Sequence, residues 1–169
     1  MPDHVITSSP APALDCAEVS RRPAPLTPCS EACRCQRVMS KLESVGIAAT
    51  QQRRVLGAML LCGPVHVTAE QVLQAAQAQV LPVSRATVYN TLRLFTERGL
   101  LRELPIEGVD TVYDSTVAPH HHFHDVVTGE VVDIDAEALR ISGLDALSAA
   151  WDIDGVEVVV RGRRRTAGV

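Results

Sequence analysis

"SRATVYNTLRLFTERGLLRELPIEGVDTVYDST", residues 84–116, changes its period half-way along, and that change decides the fold. Up to Gly99 the apolar residues Val88, Leu92 and Phe95 recur at helical spacing. Ser84 stands where an N-cap is needed, and Gly99 closes the segment. Beyond it, "LLRELPI" and "DTVYDST" are short runs rich in Leu, Val, Thr and Tyr, joined by the turn residues "EGVD", which predicts a β-hairpin. A helix that runs into such a hairpin, when other short helices precede it, describes a winged helix-turn-helix.

Those helices are legible upstream. "CQRVMSKLESVGI" spaces Val38, Leu42 and Val45 on one face and stops at Gly46. Thr50 caps a second helix through "TQQRRVLGAMLLCG", whose inward face is Val55, Leu56, Met59 and Leu60 and which Gly63-Pro64 ends. Thr68 with Gln71 forms a capping-box pattern ahead of a third, "AEQVLQAAQAQV". On the fourth helix Arg85, Tyr89, Asn90 and Arg93 fall largely off the apolar face. Arg and Asn match guanine and adenine edges, and Tyr and Thr hydroxyls suit phosphates. A solvated helix face carrying a tyrosine explains the same pattern, and periodicity alone leaves both readings open.

Charge does not decide between them. The net charge of -4 hides a near-neutral stretch over 36–115, with eight Lys/Arg against seven Asp/Glu, and an acidic one over 116–169, with five against nine. The first 35 residues hold six of the ten prolines and four of the five cysteines but no apolar periodicity, so a disordered tail is expected there. Cys29, Cys33 and Cys35 in "PCSEACRC" lack CxxC spacing and read as incidental tail thiols, and Cys62 as a small core residue. The longest apolar runs, such as "VLGAMLLCG", are too short to span a membrane, and "MPDHVITSSPAPALD" does not resemble a signal peptide, so a cytoplasmic protein is expected.

After Pro119, "HHHFHDVV", the turn "TG" and "EVVDID" predict a second hairpin, "AEALRISGLDALSAAW" a helix and "GVEVVVRGR" a strand. This α/β unit of about fifty residues is too small to bury much core alone, and dimerisation would supply the missing burial. On a strand His120, His122 and His124 share one face, while His121 and Phe123 share the other. Buried, unpaired imidazoles are costly, and a pair at i and i+2 such as His122 and His124 is a natural chelate. Glu107, Asp133 and His66 are available to complete a site. Imidazole with carboxylate suits zinc, ferrous iron or manganese. A polar, solvent-exposed edge strand is the structural alternative. A zinc hydrolase is disfavoured, because the chain has no HExxH, no GxSxG and no Gly-rich phosphate loop.

"HVTAEQV", "ATVYNTL" with its downstream "GLL", and "HHHFH" followed by a hairpin ending "VVDI" stand in the order found in the ferric uptake regulator family of metal-dependent repressors, which residues 36–165 resemble. "LPVSRATVYNTL", "YDSTVAPHHHF", "VVDID" and the basic "VVVRGRRR" are most similar to its iron-response regulator branch. The resemblance implies an α+β homodimer: a winged-helix DNA-binding domain over 36–116 and a small α/β dimerisation domain over 117–165, with 166–169 a disordered end. It also implies one divalent metal per subunit, iron, manganese or zinc, held between the domains by His66, Glu107, His122, His124 and Asp133. Operator DNA is expected to meet Tyr89, Arg85, Asn90 and Thr87, with Arg53 and Arg54 on phosphates. His120 and His121 are left for haem or a secondary metal.

Departures from the family pattern carry expectations too. No cysteine follows Cys62, so a structural zinc held by four cysteines is not expected. Phe123 and Arg140 stand where a second metal site has acids, and Pro28-Cys29 reverses the Cys-Pro order of a haem motif. Ala48 replaces a basic residue that many members use in the minor groove. A metal- or haem-binding sensor or storage module that does not bind DNA is the second reading, motivated by Ala48 and the near-neutral helical domain.

Overall fold

The structure is a computed structural model that describes residues 31–79, 81, 83–108, 110–148 and 150–165. Expectations for the tail up to Ser30, with Cys29, and for 166–169 lie outside the described residues. The first helix, α1 (Glu31–Ser44), starts before residue 36, so residues 31–35 with Cys33 and Cys35 are helical and not tail. It is followed by α2 (Gln51–Leu60), a short strand β1 (His66–Thr68), α3 (Ala69–Ala78), α4 (Arg85–Glu97) and the hairpin β2 (Arg102–Leu104) and β3 (Val112–Asp114).

The caps form where the side chains demand them. Thr50 Oγ1 accepts from the Arg53 amide at 3.4 Å, and Ser84 Oγ accepts from the Thr87 amide at 3.1 Å. Thr68 and Gln71 close a reciprocal capping box at 3.2 and 2.8 Å. Gly46 and Gly99, at φ 71° and 68°, end α1 and α4. Val38, Leu42, Leu56, Leu60, Val72, Val88, Leu92 and Phe95 make the core between the helices, and Cys62 packs at its margin. Gly57 lets α1 approach α2 closely, since a Cβ there would meet Val38 Cγ1 at 2.6 Å.

The segment "HVT", which the helix and hairpin patterns pass over, forms the short strand β1 that matters most for the site. β1 pairs antiparallel with β3, which also pairs with β2, giving a three-stranded sheet. The register sets His66 opposite Asp114 on one side of β3, and Arg102 opposite Asp114 on the other.

A second sheet has the order β5-β4-β6, built from β4 (His121–Asp125), β5 (Val131–Ile134) and β6 (Val159–Gly162). β4 pairs antiparallel with β5, which sets His122 opposite Asp133, and parallel with β6. The single helix expected over 136–151 does not form. A 3-10 turn at Ala136–Ala138 and a five-residue α5 (Leu144–Ser148) replace it, separated by Gly143 at φ 90°, and no residue of either is buried. Leu147, Trp151 and Ile153 are left exposed.

At the start of the β4–β5 turn, Asp125 Oδ1 accepts from the Val127 and Thr128 amides, and Oδ2 accepts from the Arg164 amide just past β6. One carboxylate thus ties the turn to the end of the last strand. Leu104, Ile106 and Val112 of the first hairpin pack on Val131 of β5, so a small apolar contact joins the two sheets. Among the described residues no helix is long and apolar enough to cross a membrane.

Candidate metal centre

The two cross-strand pairs set by the sheet registers face one another. His66 with Asp114 comes from the first sheet and His122 with Asp133 from the second; His120, one residue before β4, closes the group. One ligand-capable atom from each of these five side chains lies within 4.8 Å of all the others. His66 Nε2 is 2.8 Å from Asp133 Oδ1 and 3.5 Å from Asp114 Oδ1. His120 Nε2 is 3.1 Å from Asp133 Oδ1 and 3.3 Å from Asp114 Oδ2, and His122 Nε2 is 3.5 Å from Asp114 Oδ2. Donor atoms bound at about 2.1 Å to one ion are separated by about 3.0–3.4 Å, which these distances bracket.

Three further observations fit a cation. His66 Nε2 and Asp133 Oδ1 are buried and lack any hydrogen-bond partner, although they sit 2.8 Å apart. Two such atoms converging without a hydrogen bond are costly unless something between them binds both. His120 Nδ1 lies 2.8 Å from the Ala118 carbonyl, and a proton donated there leaves the Nε2 lone pair aimed into the cluster. Glu157 Oε1 stands 3.1 Å from His122 Nδ1, in ion-pair contact though not aligned as a hydrogen bond, and favours the same tautomer for His122.

The carboxylates are kept ionised. Burial pushes the Asp114 carboxyl up, but contacts from His122 and Arg102, the Thr116 amide at 2.7 Å and the nearby His66 outweigh it and hold the group at about 2. For Asp133, burial again pushes up, and the close His66 with the more distant His120 reverses it against the repulsion from Asp114, so this carboxyl is lowered as well.

Of the five ligands expected from the sequence, His66, His122 and Asp133 are brought together. The other two are not. Glu107 sits on the β2–β3 turn with a side chain 90% exposed, where it accepts from Arg161 Nη1 at 2.9 Å. His124 is one alternation too far along β4: it pairs with Val131 instead of Asp133, and it is buried with an unpartnered Nδ1. Their places are taken by Asp114, which the sequence reading overlooked, and by His120, which it reserved for haem or a second metal. His121 does not face solvent either; it is buried, and its Nδ1 accepts from the Val158 amide at 3.4 Å. The described residues therefore offer haem no separate pair from His120 and His121.

The expected DNA-contact residues divide similarly. Arg85, Tyr89 and Asn90 are exposed on one face of α4. Arg85 Nη1 donates to Glu70 Oε2 at 2.6 Å, which fixes its direction. Thr87 is half-buried and its hydroxyl lies 2.9 Å from Ser84 Oγ, so the cap engages it. Arg53 donates to the Ala48 carbonyl at 3.1 Å, and Arg54 is exposed.

Residues 44–156 match the model of the Ferric uptake regulator family. The Peroxide operon regulator of Bacillus subtilis is 31% identical over 126 residues, covering 70% of this chain and 87% of its own length. The Peroxide-responsive repressor PerR of Staphylococcus saprophyticus is 30% identical over 95 residues, which cover 56% of this chain and 64% of that protein. The manganese-containing structure of the Ferric uptake regulator from Pseudomonas aeruginosa superposes with a TM-score of 0.56 at 23% identity. That alignment covers 76% of this chain and 98% of the other and bears on the fold alone.

Proposed function

The chain belongs to the ferric uptake regulator family, and on that premise we propose that it is a metal-responsive repressor that binds operator DNA as a homodimer. Membership makes it a transcriptional regulator and not an enzyme. The observation that carries the metal reading is the meeting of His66–Asp114 from one sheet with His122–Asp133 from the other. His66, Asp114, His120, His122 and Asp133 would hold one iron, manganese or zinc ion, which supplies a positive charge that all five can share. The likeness of its motifs to the iron-response branch favours iron genes as the targets.

Ligands drawn from both sheets are what a switch requires. His66 and Asp114 belong to the sheet built on the helices, and His122 and Asp133 to the sheet that would pair two subunits. Closing all five on one point selects a single angle between the sheets. Two α4 helices in a dimer then take a single separation, which matters because half-sites on DNA have fixed spacing. Arg85, Tyr89 and Asn90 would face the bases and phosphates, with Arg54 on the flank and Thr87 and Arg53 supporting the cap and the loop before α2. Exposed Leu147, Trp151 and Ile153, on a unit whose α5 buries nothing of its own, support a second copy as the missing cover.

Anisotropy titrations against pooled genomic fragments, with and without Mn2+, test the proposal. Metal-dependent binding that weakens steeply with salt and is lost in His122→Ala supports it. A protein that binds Mn2+ but no DNA at any salt concentration is a storage or sensing module, and the repressor reading falls.

A further inference from the structure

The cluster already contains a cation of its own. Arg102, on β2, donates from Nε to Asp114 Oδ2 at 2.8 Å, and its Nη2 lies 3.0 and 2.9 Å from the two ring nitrogens of His120. An atom nearly equidistant from both ring nitrogens lies over the imidazole and not along either lone pair, so the contact is a charge resting on a ring face. The same Nη2 is 3.4 Å from His122 Nε2. The side chain is 23% exposed, and its guanidinium cannot shed its charge.

A metal using these ligands cannot ignore that charge. A dication bonded at about 2.1 Å to His120 Nε2, itself 2.9 Å from Nη2, lies at most about 5 Å from the guanidinium nitrogen whatever its direction. It would also contend with Arg102 for Asp114 Oδ2. Glu157 gives the guanidinium another partner: its Oε1 is 3.8 Å from Nη2, half-exposed, on the segment leading into β6.

We propose that Arg102 is a built-in competitor for the metal. It neutralises Asp114 when no metal is bound, and metal entry drives it from Asp114 onto Glu157. The exchange sets the affinity of the site, and it gives up the contact within the first sheet while shortening the one that already joins β2 to the segment before β6. This rests on the cluster being the metal site, and the two ideas fail differently.

The test is calorimetric titration of the full chain with Mn2+, confirmed by metal analysis, for wild type, Arg102→Gln, Arg102→Lys and Glu157→Gln. Arg102→Gln should bind at least tenfold more tightly than wild type, and its metal-free form should melt lower because two carboxylates lose their counter-charge. Arg102→Lys keeps the charge and should stay near wild type. Glu157→Gln should weaken binding several-fold, and that loss should shrink when it is combined with Arg102→Gln. Arg161→Gln, which removes a nearby arginine outside the cluster, should leave affinity unchanged. If wild type binds Mn2+ and Arg102→Gln binds no more tightly, the competitor role is refuted while the metal site stands. Should Arg102→Gln not fold, an undiminished affinity in Glu157→Gln, or a tenfold change in Arg102→Lys, refutes it instead. Failure of every variant and of wild type to bind overturns both ideas.

Discussion

Asp114→Asn isolates what one buried charge contributes. The amide keeps the size of the side chain and an acceptor for the Thr116 amide, but loses the charge that Arg102 and three histidines surround. In the folded protein the surroundings hold this carboxyl, on a fully buried side chain, at about 2 against an ordinary 3.8. At about 1.4 kcal/mol per unit the difference amounts to about 2 kcal/mol of stability. A depressed carboxyl contributes above its unfolded value and loses that contribution as the pH falls through 3.8 towards 2. Urea denaturation of chelator-treated wild type and variant should therefore show a gap of about 2 kcal/mol at pH 7 that shrinks to about half by pH 3. A gap of the same size at both pH values, or none at pH 7, would refute the argument that the charge is what the surroundings stabilise.

Tyr89→Ala should weaken DNA binding at least tenfold and leave Mn2+ affinity unchanged, read by anisotropy and calorimetry on one preparation; a parallel loss of metal binding would mean that the helix itself is disturbed. Glu107→Gln and His124→Gln should alter Mn2+ affinity less than twofold, whereas His120→Ala should lower it about a hundredfold, and the reverse order would restore the ligand set expected from the sequence. Gly57→Ala should destabilise the protein by about 1–2 kcal/mol, because overpacking against Val38 outweighs the helix preference of alanine. A raised melting temperature would show that α1 moves aside at no cost.

How much was readable depended on how local the information was. The caps at Thr50, Thr68 and Ser84 and the stops at Gly46 and Gly99 are contained in four or five residues each, and they form where the sequence put them. Strand alternation groups His120, His122 and His124, and the first two meet in the cluster. Which neighbouring two serve the site depends on the register that sets Asp133 against His122, and no local pattern encodes that. Asp114 was missed because it ends a three-residue strand that read simply as wing, and its role follows from β1, a partner too short to announce itself beyond the alternation in "VHVT". Arg102 was passed over for the same reason. The helix expected over 136–151 failed because Gly143 breaks it and the structure gives its apolar face nothing to pack on.

The Asp125 clasp has a consequence for oxidative chemistry. The turn and the last strand are joined by a carboxylate accepting backbone amides, and no cysteine follows Cys62 anywhere in the chain. Carboxylates do not enter the sulfenic-to-sulfonic ladder, so an oxidant that ejects thiolate-bound metal from other proteins has no target in this unit. Its folding depends on no thiol of its own, and any thiol-based response to oxidants must begin at Cys62 or at the cysteines before it.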